Sequence, residues 1–289
     1  MKSVAVIGLG LMGGGLASRL VSCGFEVHGF DPSPSALEKA STAGVQPCDS
    51  AEQAAASAEV LLTSLPTPEI LLGMFTRSPG HGILGNRSDQ IFIDVSTVDP
   101  GTSLELERRV KEVGSRFIAC PLGKGPAQAA SGESPLFLGG DRDAVNEVSE
   151  VLNAIGHSQH YLGDVQSAST FKLVSNMIGF ANLAALCEGY LLASRAGITP
   201  QIFTEAIAET GAMSYQATLR LPWIIASDFD PRFAVDLARK DLRLGVDLAA
   251  RHAIPVPTIA AALQELALAA AAGYGNMDAS AIVLALGGG

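Results

Sequence analysis

Val4-Ala-Val-Ile-Gly8-Leu-Gly10-Leu-Met-Gly13 begins with an apolar run, which predicts a buried β-strand, and continues into three glycines. A buried strand that leads directly into a helix needs a tight turn at Gly8 and a bare backbone at Gly10, where a pyrophosphate approaches. Gly13 lets the helix pack closely against the strand. A helix over Leu11–Ser22 would direct its free N–H groups and its positive dipole end at the phosphates, so this stretch predicts a dinucleotide-binding turn.

An acidic residue follows the second apolar run. The run Glu26–Phe30 ends at Asp31, about 20 residues after the turn, where a carboxylate hydrogen-bonds the adenosine ribose hydroxyls. A carboxylate there repels a 2′-phosphate, and no arginine precedes Lys39 to neutralise one, so the sequence predicts NAD rather than NADP. The alternative is that Asp31, followed by Pro32, only begins a turn and caps the next helix.

Length, composition and charge limit the class of protein. A chain of 289 residues, of which 48% are hydrophobic, can bury a large core and is more consistent with two domains than with one. Its formal net charge of −10 and its pI near 4.9 argue against nucleic acid and against an anionic membrane surface. We therefore expect neither as a partner.

The cysteines and histidines carry no metal signature. The cysteines lack CxxC pairs and zinc-site spacing, and are expected to be buried or partly buried free thiols: Cys23, Cys48, Cys120 and Cys187. Such thiols fit a reducing cytosol, so we expect a cytoplasmic protein. His157 and His160 lie three residues apart without an accompanying acidic or cysteine cluster, and we expect no metal site.

The chain divides into two unlike halves. Up to about Leu162, short apolar strands alternate with helical segments, which predicts a doubly wound parallel α/β sheet, with an antiparallel edge as an option. No proline interrupts residues 165–196, which predicts one long helix between two domains. We place a dinucleotide-binding domain at 1–163 and an all-helical domain at 164–289. Alanine and leucine dominate the latter, with breaks expected near Gly211, Pro222, Pro231, Pro255 and Gly273.

Ligands bind at the carboxyl ends of the strands in such sheets. The later strands are predicted at residues 60–64, 91–95, 117–119, 136–138 and 160–162. The residues directly after three of them are therefore candidates for the site: Leu65-Pro66-Thr67, Ser96-Thr97 and the loop 121–125.

A polar stripe lies along the predicted long helix. Lys172, Ser175, Asn176 and Gly179 fall at i, i+3, i+4 and i+7, and therefore on one face. Asn176 offers a donor and an acceptor one turn from the lysine, and Gly179 leaves room for a ligand or a close neighbour. The alternatives are a solvated lysine and a glycine that serves only helix packing. The spacing permits a site without establishing one.

Several ordered motifs together resemble the β-hydroxyacid dehydrogenases, a family that contains 3-hydroxyisobutyrate, tartronate-semialdehyde and sulfolactaldehyde reductases. The resemblance covers essentially the whole chain and rests on residues 8–13, Leu65-Pro66, Asp94-Val-Ser-Thr97, 121–132, 172–176, Lys240-Asp241-Leu242 and Asp278-Ala-Ser-Ala281. It implies an N-terminal Rossmann sheet and an all-helical second domain through which members form homodimers or homotetramers. It also implies hydride transfer between NAD and a small β-hydroxy acid or its semialdehyde or keto form.

The resemblance also assigns roles to individual residues. It implies that Lys172 is the catalytic acid/base and that Asn176 positions it and the substrate. Besides the glycine turn, it implies cofactor contacts from Leu11, Met12, Asp31, Leu65 with the adjoining Pro66, Thr97 and Lys240. Without the resemblance, the adjacent Lys240-Asp241 pair would be interpreted as a solvated surface feature.

Alcohol oxidation needs a base within hydrogen-bond reach of the hydroxyl, because a hydride leaves for the nicotinamide while a proton leaves the oxygen. Lys172 can accept this proton only as the neutral amine. Partial burial beneath the nicotinamide, itself positive in NAD, would disfavour the ammonium and lower the pKa of the lysine. In the reverse direction, the ammonium donates to a carbonyl oxygen as the hydride arrives.

The loop Gly123-Lys124-Gly125 departs from the commonest pattern of the family, in which Ser-Gly-Gly follows the proline. Cys120 also stands where an acid is usual, and Ser175 where an asparagine is frequent. Backbone N–H groups of the loop could cradle a substrate anion, to which Lys124 adds a positive charge. The arrangement resembles sulfolactaldehyde reductases, although lysine lacks the bidentate fork of arginine. We expect a small hydroxy acid that bears a carboxylate or a sulfonate; a solvent-facing Lys124 is the alternative.

Other functions share this architecture. One is an NADPH-dependent aldehyde or imine reductase, although imine reductases usually lack the lysine that is Lys172 here. Another is a non-catalytic dinucleotide-binding relative or nucleic-acid reader, but the chain carries no basic tract. A sugar-acid-phosphate dehydrogenase would need more basic residues to bind the phosphate.

Overall fold

The computed structural model describes residues 3–85, 87 and 89–287. The chain forms two compact units, of which the first ends at Lys172 and the second begins at Leu173. We call them unit 1 and unit 2. The domain boundary placed between residues 163 and 164 stays a prediction, since the compact units divide further along, within a long helix.

Unit 1 is built on one eight-stranded sheet. Its strands are β1 (Ser3–Ile7), β2 (Glu26–Phe30), β3 (Gln46–Pro47), β4 (Val60–Thr63), β5 (Ile91–Asp94), β6 (Arg116–Ala119), β7 (Ser134–Gly140) and β8 (Gly156–Tyr161), in the order β3-β2-β1-β4-β5-β6-β7-β8. The pairings from β3 to β6 are parallel, which confirms the doubly wound sheet. The antiparallel pairing lies between β6 and β7, one strand inside the edge, because β8 pairs in parallel with β7 and forms the edge itself.

The helices of unit 1 connect these strands: α1 (Leu11–Ser22), α2 (Pro34–Thr42), α3 (Ala51–Ala56), α4 (Pro68–Met74), α5 (Pro100–Lys111), α6 (Pro126–Ser131), α7 (Arg142–Glu147) and α8 (Ser149–Ile155). Alternate residues of β1 enter two apolar cores, Val4 and Val6 on one face and Ala5 and Ile7 on the other. Because helices cover both faces, the strand is apolar throughout, and this made it recognisable in the sequence.

The predicted strands are all found, and the largest difference concerns β8. It was expected at residues 160–162 and begins at Gly156, because this edge strand is mostly polar and no apolar run marks its start. The two-residue strand β3 was not predicted, since so short a segment carries no periodic pattern.

Helix α9 (Val165–Arg195) is the predicted long helix. Its first turns belong to unit 1, where Val165 and Ala168 enter the core and the Ser169 hydroxyl lies 2.6 Å from that of Ser103. In unit 2, Phe180, Leu183, Ala184, Leu186 and Cys187 of the same helix enter a separate core. By length and composition alone α9 is apolar enough to cross a membrane, and 33% of its most apolar 18-residue window is buried inside the protein.

The remaining helices of unit 2 are α10 (Pro200–Ile207), α11 (Tyr215–Ala226), α12 (Val235–Arg251), α13 (Pro257–Ala269) and α14 (Ile282–Ala285), with a π-helical turn at Ala270–Tyr274 and a 3₁₀ turn at Ala279–Ala281. The expectation of a helical second domain is thereby confirmed. The break expected near Pro222 is wrong: α11 continues through it, because buried Arg220, Leu221 and Ile224 hold both sides of the proline in the core.

Candidate active site

The glycine turn of unit 1 has the shape that a dinucleotide needs. Gly8 adopts φ +91°, and a Cβ on it would lie 2.3 Å from the Ser64 carbonyl oxygen. A Cβ on Gly13 would lie 1.9 Å from the Gly8 carbonyl oxygen, so α1 approaches β1 more closely than any side chain permits. A Cβ on Gly10 would meet no described atom within 4 Å. The space over Gly10 is open, as the predicted contact with a pyrophosphate requires.

Helix α1 begins directly at this turn. Its N-cap residue, Gly10, has no side chain with which to satisfy the first N–H groups, and no acidic residue lies in the first helical turn. Leu11 is exposed and Met12 is half-buried at this end. The helix therefore presents the N–H groups and the positive dipole end that we expect to face phosphates.

Asp31 follows β2 and is tied to the turn. Its Oδ2 accepts the Leu9 N–H at 2.8 Å, and its Oδ1 accepts the Ser33 N–H at 2.8 Å. The second bond is the turn considered as the alternative role, whereas the first fixes the carboxylate beside the glycines. A carboxylate oxygen accepts more than one hydrogen bond, so both oxygens retain capacity for ribose hydroxyls.

Buried hydroxyl groups hold the segment after β4 against the turn. The Leu65 N–H donates to Ser96 Oγ at 3.0 Å, and Ser96 Oγ donates to Asp94 Oδ1 at 2.6 Å. Thr63 donates to the same carboxylate oxygen at 2.7 Å. The Leu65 side chain lies against the glycine turn, since its Cδ2 is 3.0 Å from the point that a Cβ on Gly8 would occupy. Asp94 and Ser96 thus shape the site. Ser96 was a candidate because it directly follows a predicted strand, whereas Asp94 was not selected as a site residue.

The predicted cofactor residues of unit 1 share the carboxyl edge of the sheet. They follow β1, β2, β4 and β5 and comprise Gly8, Gly10, Leu11, Met12, Gly13, Asp31, Leu65, Pro66 and Thr97. Lys240, the remaining candidate, belongs to unit 2.

The loop Gly123-Lys124-Gly125 offers less to an anion than predicted. The Gly123 N–H donates to the Pro135 carbonyl at 2.9 Å, and the Gly125 N–H donates to Gln128 Oε1 at 3.3 Å. The expected cradle of backbone N–H groups is therefore wrong for these two glycines, because β7 and the first turn of α6 already use them. Lys124 is exposed and has φ +64°, which is uncommon for a residue with a Cβ. The exposed ammonium group of Lys124, at the centre of the loop, is therefore the group left to bind an anion.

Phe137 connects this loop with the start of α9. Its Cε2 lies 3.4 Å from the point that a Cβ on Gly123 would occupy, and its ring centroid lies 4.6 Å from that of Phe171. The next residue of α9 is Lys172, which is buried, with 7% of its surface exposed. Lysine is among the residues least often buried, so the interpretation of Lys172 as a solvated charge is wrong.

A buried polar cluster lies in unit 2. Asn176 Nδ2 donates to Asp241 Oδ2 at 2.6 Å, and Lys240 Nζ pairs with Asp241 Oδ1 at 3.0 Å. Because the amide nitrogen of Asn176 is directed at Asp241, its carbonyl oxygen is left as the acceptor. The close approach of α12 to α9 has a local cause, since a Cβ on Gly245 would lie 2.4 Å from Met177 Sδ.

The interpretation of Lys240-Asp241 as a solvated surface pair is wrong, because Asp241 is only 1% exposed. A signal for this burial exists in the sequence. Asp241 falls on the buried face of α12, which consists of Val235, Ala238, Asp241, Leu242, Gly245, Leu248 and Ala249. A carboxylate within an apolar stripe requires charged or hydrogen-bonding partners, which here are Asn176 and Lys240. Ser175, by contrast, is exposed.

The buried cysteines are poor nucleophiles. None of the four cysteines, all of which the structure describes, forms a disulfide. Burial, and secondarily the charge of Asp94, raises the pKa of the Cys120 thiol far above its usual range. Burial likewise raises the pKa of Cys187 to about 12. Cys48 is buried too, whereas Cys23 is exposed, contrary to expectation.

Two family models match the chain, one on each side of the start of α9. A model of the NAD-binding domain of 6-phosphogluconate dehydrogenase matches residues 3–163. A model described as "NAD-binding of NADP-dependent 3-hydroxyisobutyrate dehydrogenase" matches residues 167–286.

The similarity to known proteins extends over nearly the whole chain. The L-threonate dehydrogenase of Cupriavidus necator is 32% identical over 98% of this chain and 95% of its own length. The 2-(hydroxymethyl)glutarate dehydrogenase of Eubacterium barkeri is 28% identical over 98% of this chain and 94% of its own. A crystal structure of 3-hydroxyisobutyrate dehydrogenase from Salmonella typhimurium matches with a TM-score of 0.90 at 25% identity, covering 98% of this chain and 99% of that one.

Proposed function

This chain belongs to the β-hydroxyacid dehydrogenase family, and we propose on that basis that it transfers a hydride between NAD and a small β-hydroxy acid. In this reaction a CH–OH group is oxidised to a semialdehyde or keto form, or formed from it. Lys172 acts as the general acid/base. The three similar proteins described above are named dehydrogenases, and their names do not favour an imine reductase or a non-catalytic relative.

The burial of Lys172 is the observation that carries this proposal. An ammonium is costly to remove from water, so a lysine is buried at a site where its chemistry is used or its charge is matched. Removal from water also favours the neutral amine, which is the form that accepts a proton from an alcohol. Lys172 belongs to unit 1, the unit that carries the glycine turn and Asp31.

Each residue then has a defined task. The glycine turn, Asp31 and Leu65 bind NAD, which supplies the hydride acceptor. Lys172 Nζ removes the proton from the substrate hydroxyl and returns it to the carbonyl oxygen in the reverse direction. Asn176 lies one turn further along α9, and its carbonyl oxygen is the acceptor that it offers to the substrate hydroxyl. Asp241 fixes the orientation of the Asn176 amide, because its carboxylate accepts a hydrogen bond from the amide NH₂ group.

We propose further that Lys124 binds the carboxylate or sulfonate of the substrate. Its ammonium is exposed on a loop whose backbone is held by Pro135 and Gln128, and its positive φ is the kind of outlier that occurs at ligand sites. Lys124→Ala should raise KM for anionic substrates while kcat changes little. Unchanged kinetics would identify Lys124 as a solvent-facing charge.

The position of Asp31 supports a preference for NAD over NADP. Its carboxylate is held beside the glycine turn by Leu9, where a 2′-phosphate would be repelled. The test compares kcat/KM for the two cofactors in the wild type and in Asp31→Ser. Discrimination should fall in the variant, and a wild-type preference for NADP would reject the assignment.

We also propose a homodimer or homotetramer in the cytoplasm, without nucleic-acid or membrane partners. Apolar side chains exposed on unit 2, among them Leu192 with 73% exposure, support association through that unit. Free thiols and the net charge of −10 support the location and the absence of polyanionic partners. Analytical ultracentrifugation gives the oligomeric state directly, and a monomer at micromolar concentration would reject the association.

Lys172→Ala tests the mechanism. The variant should lose about 10³-fold in kcat, because the general acid/base is removed, while the Kd for NADH stays within about twofold. Lys111→Ala is the matched control, since Lys111 pairs with Glu107 on the exposed side of α5 and should leave both values unchanged. Near-normal turnover in Lys172→Ala would remove this residue from the mechanism.

The substrate class is tested with a panel of hydroxy acids. 3-Hydroxyisobutyrate, glycerate, threonate, serine and 2,3-dihydroxypropanesulfonate are each incubated with NAD, and NADH formation is followed by absorbance. Turnover of one or more members supports the proposed reaction. A protein that binds NADH but oxidises none of them, nor reduces the corresponding semialdehydes, contradicts it.

A further inference from the structure

A second buried network in unit 2 holds a side-chain amide that the proposed mechanism does not use. Arg220 is 4% exposed, and its Nε donates to Asp278 Oδ1 at 3.0 Å. Asp278 also accepts the backbone N–H groups of Phe233 and Ser280, each at 3.0 Å. The charge of Arg220 is therefore matched and its position fixed. A second nitrogen of this guanidinium, Nη1, donates to Gln216 Oε1.

The bond from Arg220 determines how the Gln216 amide is oriented. A guanidinium has only donors, so the amide oxygen must face it and the amide NH₂ group must face away. On that side, Nε2 lies 3.0 Å from the point that a Cβ on Gly179 would occupy. Gly179 is the third residue after Asn176 on α9 and lies on the same helix face. An oriented donor consequently lies over the glycine of the polar stripe.

We propose that Gln216 is a specificity-determining residue whose NH₂ group donates to an oxygen on the part of the substrate beyond the reacting carbon. This inference rests on the proposed function and narrows its substrate class to hydroxy acids with a hydroxyl or carboxylate in that place rather than an alkyl group. Asn176 offers an acceptor and Gln216 a donor, so the two amides match a hydroxyl at one point and an oxygen acceptor at another.

The dimensions agree with a small hydroxy acid. Three residues of α-helix rise about 4.5 Å, whereas three extended carbon–carbon bonds of roughly 1.5 Å each span about 3.9 Å at tetrahedral angles, and a hydrogen bond to the amide covers the remainder. A group attached two or three bonds beyond the carbon near Asn176 therefore comes level with Gly179 and the Gln216 amide. Because Gly179 has no side chain, the Gln216 amide lies close to the backbone of α9 at this level. A methyl group of the substrate in front of this amide would leave its N–H unpaired.

Two matched substrate pairs test the inference, each differing by replacement of a methyl group by hydroxymethyl. The pairs are 3-hydroxybutyrate with 3,4-dihydroxybutyrate, and 3-hydroxyisobutyrate with 3-hydroxy-2-(hydroxymethyl)propanoate. The quantity measured is the ratio of kcat/KM, hydroxymethyl over methyl, within each pair. In the wild type at least one pair should favour the hydroxymethyl member, and Gln216→Met should lower that ratio about tenfold, mainly through KM.

A second variant and a control variant distinguish a change in substrate specificity from a change in folding. Gln216→Glu keeps an oxygen acceptor for Arg220, so it should stay folded, yet it offers no N–H and should lower the ratio as Gln216→Met does. Gln201→Met makes the same chemical change on the exposed side of α10, where Gln201 donates to Glu205, and should leave the ratio unchanged. Thermal melting and the Kd for NADH verify that each variant is folded.

The outcomes separate this inference from the proposed function. A wild type that oxidises hydroxy acids, with ratios that neither Gln216→Met nor Gln216→Glu changes, overturns the inference and leaves the function intact. A wild type that binds NADH but oxidises no member of either pair and no acid of the panel overturns the proposed function and this inference with it. A wild type that oxidises acids of the panel but no member of either pair overturns the inference alone. A lowered ratio in both variants, with Gln201→Met unchanged, establishes Gln216 as the specificity determinant.

Discussion

The two regions that carry the candidate site residues are built in different ways. In unit 1 the cofactor edge is shaped by backbone, because Gly8, Gly10 and Gly13 bring a turn, a strand and a helix together without side chains. In unit 2 the polar groups are shaped by side chains that meet from distant parts of the sequence. Asn176 and Asp241 are 65 residues apart, and Arg220 and Asp278 are 58 apart.

This difference determines what each region can tolerate. A backbone-shaped site depends on the absence of atoms, so one added methyl group is enough to disrupt it. A site shaped by buried side chains depends on charges that remain paired, so removal of one partner leaves the other uncompensated in the core. We therefore expect unit 1 to be disrupted by substitutions that add atoms to its glycines, and unit 2 by substitutions that remove one partner of a buried charge pair.

Adding a methyl group to Gly13 should have the largest effect. In Gly13→Ala, the new Cβ would lie 1.9 Å from the Gly8 carbonyl oxygen, which is a backbone atom of the turn between β1 and α1. We expect the free energy of unfolding to fall by more than about 4 kcal/mol, and NADH binding to be lost. Urea unfolding and fluorescence titration with NADH measure the two effects.

Gly10→Ala is the control for this prediction. Gly10 has φ −63°, and its Cβ would meet no described atom within 4 Å, so this variant should fold with a stability change below about 1 kcal/mol. It should nevertheless bind NADH more weakly, because the methyl group enters the space reserved for the pyrophosphate. Equal stability of the two variants would refute the account of Gly13.

Removing the charge of Asp241 should have the second-largest effect. In Asp241→Asn, Lys240 loses its counter-charge and Asn176 loses a carboxylate acceptor. We expect a loss of about 3 kcal/mol in the free energy of unfolding and about a tenfold fall in kcat, since the Asn176 amide is no longer held in one orientation. Asp247→Asn, on the exposed side of the same helix, should change stability by less than about 0.5 kcal/mol.

The same difference explains what could be predicted from the sequence. The turn around Gly10, the strand β1 and the acid Asp31 are local, and their spacing follows from how a strand enters a helix. Lys172 and Asn176 could be placed on one helix face by counting. Family resemblance then assigned the chemistry, and burial of Lys172 in the structure supports it.

The remaining contacts could not be predicted, because no local rule connects the residues that make them. The partner of Asn176 is on α12, and Gln216 is oriented by an arginine that is itself fixed by Asp278. The predicted anion-binding cradle at Lys124 was wrong for the same reason. The Gly123 and Gly125 N–H groups donate to Pro135 and Gln128, and these bonds depend on how β7 and α6 pack against the loop. The position of Asp241 on an apolar stripe was the one signal available in the sequence.

Ser96 is an exception in unit 1, because its side chain supports a region that is otherwise shaped by backbone. Ser96→Ala removes the oxygen that accepts the Leu65 N–H, so the segment after β4 should become less ordered and the Kd for NADH should rise about tenfold. Thr63→Val is the matched control, since Thr63 donates to the same Asp94 oxygen but not to Leu65. It should lose stability while the Kd for NADH stays within about twofold. An equal rise in both variants would mean that Asp94 acts only through general stability.

The smallest effect expected arises where unit 2 brings like charges together. Burial, and then the neighbouring Glu188 carboxylate, raises the pKa of Glu265 from its usual 4.5 to about 7. The folded protein keeps this proton to a higher pH than the unfolded chain, so the free energy of unfolding should fall as pH rises from about 4.5 to about 7 and then level off. Because the side chain is half-exposed and solvent screens the pair, we expect about 1 kcal/mol. Glu265→Gln removes this pH dependence. Urea unfolding at pH 5 and pH 8 measures this as a change in the difference between the unfolding free energies of variant and wild type.

Glu105→Gln is the control in unit 1. Hydrogen bonds from Arg108 and Arg109 lower the pKa of Glu105 to about 2, so its carboxylate is ionised in both states above pH 5 and the difference in unfolding free energy should stay constant. A constant difference for Glu265→Gln as well would contradict the raised pKa of Glu265.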